Sequence, residues 1–168
     1  MVKLLRKSSI GWLLGFLAAS FGAAGLGASW TARSVDGWYR TLRKPRLNPP
    51  NSLFAPVWTV LYVQMAVSAW LIRRAVVRRP EVASEARTAL LAWGAQLALN
   101  VAWTGVFFGK QRIGGGLAVI VTLWMAIATT AALDWRISRG ASLLLAPYLA
   151  WTSFATYLNL RLFQLNHR

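Results

Sequence analysis

Between its charged clusters the chain runs apolar for about one membrane thickness at a time. Uncharged stretches cover residues 8 to 32, 47 to 72, 88 to 109, 113 to 133 and 140 to 160. Each exceeds the roughly 20 residues a helix needs to cross a hydrocarbon core. The pattern predicts an all-α integral membrane protein, a five-transmembrane-helix bundle folded as a single domain over residues 1–168. The spans are expected at 9–29, 53–72, 88–108, 113–133 and 141–162, with a lid-like loop at 30–52 and the chain ends on opposite sides.

Within the spans the exceptions to plain apolarity recur at helical spacing. The first span places Gly11, Gly15, Ala19 and then Ala18, Gly22 four apart, which permits close helix approach. In the second, Pro56 is expected in the first turn, and Trp58, Tyr62 and Met65 share a face. The third aligns Gln96, Asn100, Trp103 and Phe107. Amides in hydrocarbon need partners, so that face turns inward, either to line a pocket or to bind a neighbouring helix. The fifth contains Pro147, then a Trp151, Ala155, Leu158 stripe, with Asn159 and Arg161 near its exit.

Composition narrows the functions. The chain is 57% hydrophobic with ten Trp, no Cys and a net charge of +15. Such a charge would suit nucleic acid, but the cations flank spans instead of forming one basic face, so no nucleic-acid partner is expected. Without Cys, and with His167 the sole histidine, the usual metal-ligand sets are missing from the spans. The basic start and apolar run up to Ala28 also fit a cleaved secretory signal, although the uncharged stretch is long for one. Lys and Arg are nearly balanced between the two sides, so charge assigns no orientation.

One stretch is unlike a plain connector. "WYRTLRKPRLNPP", residues 38–50, packs Arg40, Arg43, Lys44 and Arg46 among Pro45, Pro49 and Pro50. The prolines restrict the backbone, so the segment is built to hold a shape.

Together with "FAPVWTVLY", "ALNVAWTGVFFG" and "PYLAWTSFATYLN", this stretch resembles the signature segments of the translocator protein family, also called tryptophan-rich sensory proteins or peripheral-type benzodiazepine receptors. The resemblance covers residues 10 to 166 in order. It implies a five-helix bundle, often a homodimer, whose first loop folds over a pocket for porphyrins (protoporphyrin or haem) or another aromatic small molecule, with membrane lipid or sterol as further ligands. No cofactor is required on this reading. Carried over by position, the ligand-binding residues are Tyr39, Pro45, Phe54, Trp58, Asn100, Trp103, Phe107, Trp151, Ala155 and Leu158. A bacterial cell-envelope membrane is the expected location.

The chain departs from the family pattern at Ser52, where many members carry Trp, and at Val119, where an acidic residue is common. In some bacterial relatives the Trp at the first position, with the one matching Trp151, is tied to light-dependent porphyrin breakdown, so losing half of the pair counts against that activity. The animal members' cholesterol motif is also weak here, only its reversed form matching, at Arg161, Phe163 and Leu165. The expected function is a receptor or sensor that holds a tetrapyrrole without catalysing its conversion. The alternatives are a facilitated transporter and a light-dependent porphyrin-degrading enzyme. Proton-coupled antiport is disfavoured because Asp36, Glu81, Glu85 and Asp134 fall at loops or span ends.

Overall fold

The computed structural model describes the chain from Val2 to Asn166, with side chains from Ser9 onward; His167 lies outside the described residues. Among the described residues six α-helices follow one another: α1 (Val2–Val35), α2 (Trp38–Thr41), α3 (Asn51–Arg78), α4 (Ala83–Thr104), α5 (Ile113–Ile137) and α6 (Arg139–Asn166). A 3₁₀ turn (Pro80–Val82) precedes α4, and a π-helical turn (Gly105–Gly109) follows it.

Among the described residues, four stretches are long and apolar enough to cross a membrane: Ser9–Val35, Asn51–Arg78, Pro80–Gly109 and Ile113–Ile137. α6 has comparable length, 28 residues, but mixes Pro147, serines, threonines, Asn159 and Arg161 into its apolar run.

Several boundaries differ from the sequence expectation. Nothing breaks α1 before Asp36 and Gly37, so helix continues to Val35, where a loop was expected from residue 30. Pro50, extended at ψ 145°, caps α3, which therefore begins at Asn51 and places Pro56 inside the helix instead of in its first turn. Past the expected end at 72, α3 continues to Arg78, because arginine is a good helix former and Pro80 is the first residue that cannot continue it.

The core lies among α3, α4, α5 and α6, around the fully buried Met65, Leu123, Ile127, Leu145 and Tyr148. Trp93 Nε1–H donates to the Met65 carbonyl at 3.0 Å, tying α4 to α3. A second cluster, with Ile72, Ala86, Ile137 and Ala141, closes the end formed by the α3–α4 and α5–α6 turns. Asp134, expected at a span end, is in fact only 2% exposed there. It accepts a 2.9 Å hydrogen bond from Ser68 on α3, a burial that its place in the last turn of α5 did not disclose.

Helix α1 is packed more lightly, along α3 and α4, with Ile10, Trp12, Leu14, Phe21 and Leu26 exposed. One close contact involves Trp30, whose indole lies across Gly105 and Gly109; a Cβ at either would come within 3.3 and 3.2 Å of the ring. Gly116 is tighter still. A Cβ there would meet Phe107 Cδ2 at 2.8 Å and Asn159 Oδ1 at 3.2 Å. Gly116→Ala is expected to cost about 1–3 kcal/mol by overpacking and to displace the Phe107 ring, which a lowered thermal midpoint in detergent would register.

Candidate functional site

At the end of the bundle opposite Asp134, five elements leave a cavity of about 390 Å³. It is walled by the second half of α1, by Tyr39 of α2, by the first half of α3, by the end of α4 with its π turn, and by the end of α6. Its volume falls within the roughly 300–1,000 Å³ usual for small-molecule sites. Among the described residues no Lys, Arg, Asp or Glu lines it.

One wall is aromatic. Trp58 and Trp103 face each other at 6.3 Å between centroids and 30° between planes. Trp103 and Phe107 follow at 5.8 Å and 24°. The Trp103 ring is oriented by its Nε1–H, which donates to Asn159 Oδ1 at 3.3 Å, while Asn159 Nδ2–H donates to the Ile113 carbonyl at 2.9 Å. The π turn completes the wall. A π turn advances each residue by a smaller angle than an α-helix, so the consecutive Phe107 and Phe108 both face the cavity, edge to face at 4.8 Å. The turn closes through Lys110 N–H to the Gly105 carbonyl, and Gln111 then takes a left-handed φ of 55°.

The floor is polar. Tyr62 Oη–H donates to Asn100 Oδ1 at 2.7 Å, and Asn100 Nδ2–H donates to Tyr148 Oη at 2.9 Å. Asn100 therefore serves both roles the sequence left open: it lines the cavity and it joins α4 to α3 and α6. Gln96, one turn earlier on the same face, is fully buried beside Met65 and lies outside the cavity lining.

From the 30–52 segment, Thr31, Val35, Tyr39 and Asn51 line the cavity. Tyr39 packs on Phe107 and Phe108 and donates its hydroxyl to Asn48 Oδ1 at 3.0 Å. Burial pushes the Tyr39 phenol above its ordinary value, with the Asn48 hydrogen bond opposing the shift, so this ring is neutral across the physiological range. Lys44 Nζ sits 4.8 Å from the Tyr39 ring centroid and donates to the Arg40 carbonyl. The segment is latched to the end of α6 by Arg43, whose N–H donates to Asn166 Oδ1 at 2.9 Å and whose carbonyl accepts from Asn166 Nδ2 at 3.0 Å.

Of the residues the sequence singled out, Tyr39, Phe54, Trp58, Asn100, Trp103, Phe107, Ala155 and Leu158 line this one cavity. Pro45 and Trp151 do not. Pro45 is buried within the segment, where its carbonyl accepts from Asn48 N–H. Trp151 packs edge-on behind Phe54 at 5.9 Å and lines a shallower groove between α3 and α6. Phe21, Gly27, Tyr62 and Asn159 also line the cavity. The position of Tyr62, four after Trp58, was a usable signal; the glycine-rich α1 offered none.

The TspO/MBR family model matches residues 15–165. "Tryptophan-rich protein TspO" of Chlorobaculum tepidum is 41% identical over 140 residues, covering 83% of this chain and 86% of that protein. "Protein CrtK" of Rhodobacter capsulatus is 36% identical, covering 83% and 85%. "Translocator protein" of Bos taurus is 39% identical, covering 84% and 82%.

Proposed function

We propose that this chain, which belongs to the TspO/MBR family, is a membrane receptor that holds a porphyrin or related haem-pathway tetrapyrrole in the cavity beneath its first loop. It is a multi-pass membrane protein, and bacterial relatives such as those from Chlorobaculum tepidum and Cereibacter sphaeroides point to a bacterial membrane. We count α6 as a fifth span and take the unit to be a single domain that pairs as a homodimer.

The supporting observation is the near-parallel wall of Trp58, Trp103 and Phe107 facing an apolar cavity without a charged residue in its lining. A flat macrocycle gains from offset stacking on such rings. A sterol would fill the same volume but offers no π face, so we place it second. The propionate arms of a porphyrin need cations, and the cavity wall has none. They must reach the mouth, where Lys44 stands directly over Tyr39.

The reading is tested by titrating detergent-purified protein with protoporphyrin in the dark, following tryptophan quenching. Saturable quenching in the micromolar range is expected. Lys44→Gln should weaken protoporphyrin by about two- to fivefold, the worth of a half-exposed ion pair, and leave its uncharged dimethyl ester unaffected. Absence of saturable quenching by folded protein would overturn the proposal. Illumination at the end of the titration separates holding from degradation, since a receptor leaves the porphyrin spectrum intact.

A further inference from the structure

We propose that Arg73 and Arg74 form a headgroup site for an anionic phospholipid on the seam between α1 and α3, at the end of the bundle away from the cavity. These are the first cations after the uncharged run ending at residue 72, so they stand at the edge of the hydrocarbon. Each guanidinium is held over a tryptophan: Arg73 lies 4.9 Å from the Trp12 centroid and Arg74 lies 4.6 Å from that of Trp70.

Both indoles have partners of their own. Trp70 Nε1–H donates to the Ser9 carbonyl at 2.9 Å and to Ser9 Oγ at 3.1 Å. Trp12 packs on Phe16 at 6.2 Å, and Phe16 meets Trp93 edge-on at 5.2 Å. A guanidinium that lies flat on an indole keeps its N–H edge for an acceptor, the fork that fits two phosphate oxygens.

Among the described residues nothing takes up that edge. Among the described residues neither Arg73 nor Arg74 is paired with a carboxylate or hydrogen-bonded to a protein acceptor. Of the chain's four acids, Asp36 belongs to the opposite end, Asp134 is engaged with Ser68, and Glu81 and Glu85 lie exposed near the start of α4. Two fixed, unneutralised cations at the hydrocarbon edge call for an anion at headgroup depth. The same stretch of α1 exposes Ile10, Trp12 and Leu14, apolar surface against which the acyl chains of that anion's owner can lie. A phospholipid satisfies both requirements, whereas free phosphate satisfies only the first.

The test reconstitutes the full chain in phosphatidylcholine vesicles and measures its preference for spin-labelled phosphatidylglycerol over spin-labelled phosphatidylcholine. The wild type is expected to prefer phosphatidylglycerol. Arg73→Gln with Arg74→Gln should reduce that preference by about fivefold or more, whereas Arg136→Gln, which removes a cation from the same end, should leave it intact. Millimolar inorganic phosphate should not displace the lipid. Arg73→Lys with Arg74→Lys keeps charge and fold but loses the planar stack, and should lose about half of the preference. The site is overturned if the wild type shows no preference, if Arg136→Gln acts as strongly as the double glutamine variant, if phosphate displaces the lipid, or if the double lysine variant is unchanged.

Discussion

Trp103→Leu is expected to weaken protoporphyrin binding by about tenfold or more, while Trp151→Leu changes it less than about twofold. The contrast rests on geometry. Trp103 is the middle ring of the aromatic wall, in contact with both Trp58 and Phe107, and stacking of a flat ligand on one aromatic side chain is worth about 1–3 kcal/mol. Trp151 is separated from the cavity by Phe54. The loss at position 103 should fall on binding more than on folding. Its one hydrogen bond, to Asn159 Oδ1, is long at 3.3 Å, and Asn159 lines the cavity, where water can replace the indole. Quenching titrations of both variants, with thermal midpoints measured alongside, check this. A larger loss in Trp151→Leu than in Trp103→Leu would place the ligand on the α3–α6 groove instead.

Asn100→Leu is expected to destabilise the bundle by about 1–3 kcal/mol. The amide satisfies two hydroxyls at once, accepting from Tyr62 and donating to Tyr148. Their fates differ when it is removed. Tyr62 lines the cavity and can turn to water, but Tyr148 is 0% exposed and has no replacement. Most of the cost should therefore reside in the Tyr148 hydroxyl. Adding Tyr148→Phe to the Asn100→Leu chain should recover part of the lost midpoint, because the stranded polar atom is gone. A double variant less stable than either single one would show that the hydroxyl is held by something other than Asn100.

Part of the cavity lining was legible because it follows helical periodicity. Asn100, Trp103 and Phe107 share a face, as do Trp58 and Tyr62, and each set reaches the cavity. Where the reading fell short, the cause was an interaction between helices. Gln96 continues the Asn100 face by spacing, yet one turn is enough to move it from the cavity into the core beside Met65. Phe108 is off that face in a regular helix, and only the π turn brings it in. Trp151 begins the Ala155 and Leu158 stripe, but at its level Phe54 intervenes from α3.

The sequence by itself determined that this chain belongs in a membrane, where its long helices begin and end to within several residues, and which faces carry amides and rings. Those properties are local sums: hydropathy over some twenty residues, and a period of 3.6. What only the tertiary structure decided is which of those faces meet. The rotation and depth of each helix are set by close contacts such as Phe107 against Gly116 and Trp30 across Gly105 and Gly109. Such contacts join residues remote in the chain, and no window along it contains both partners.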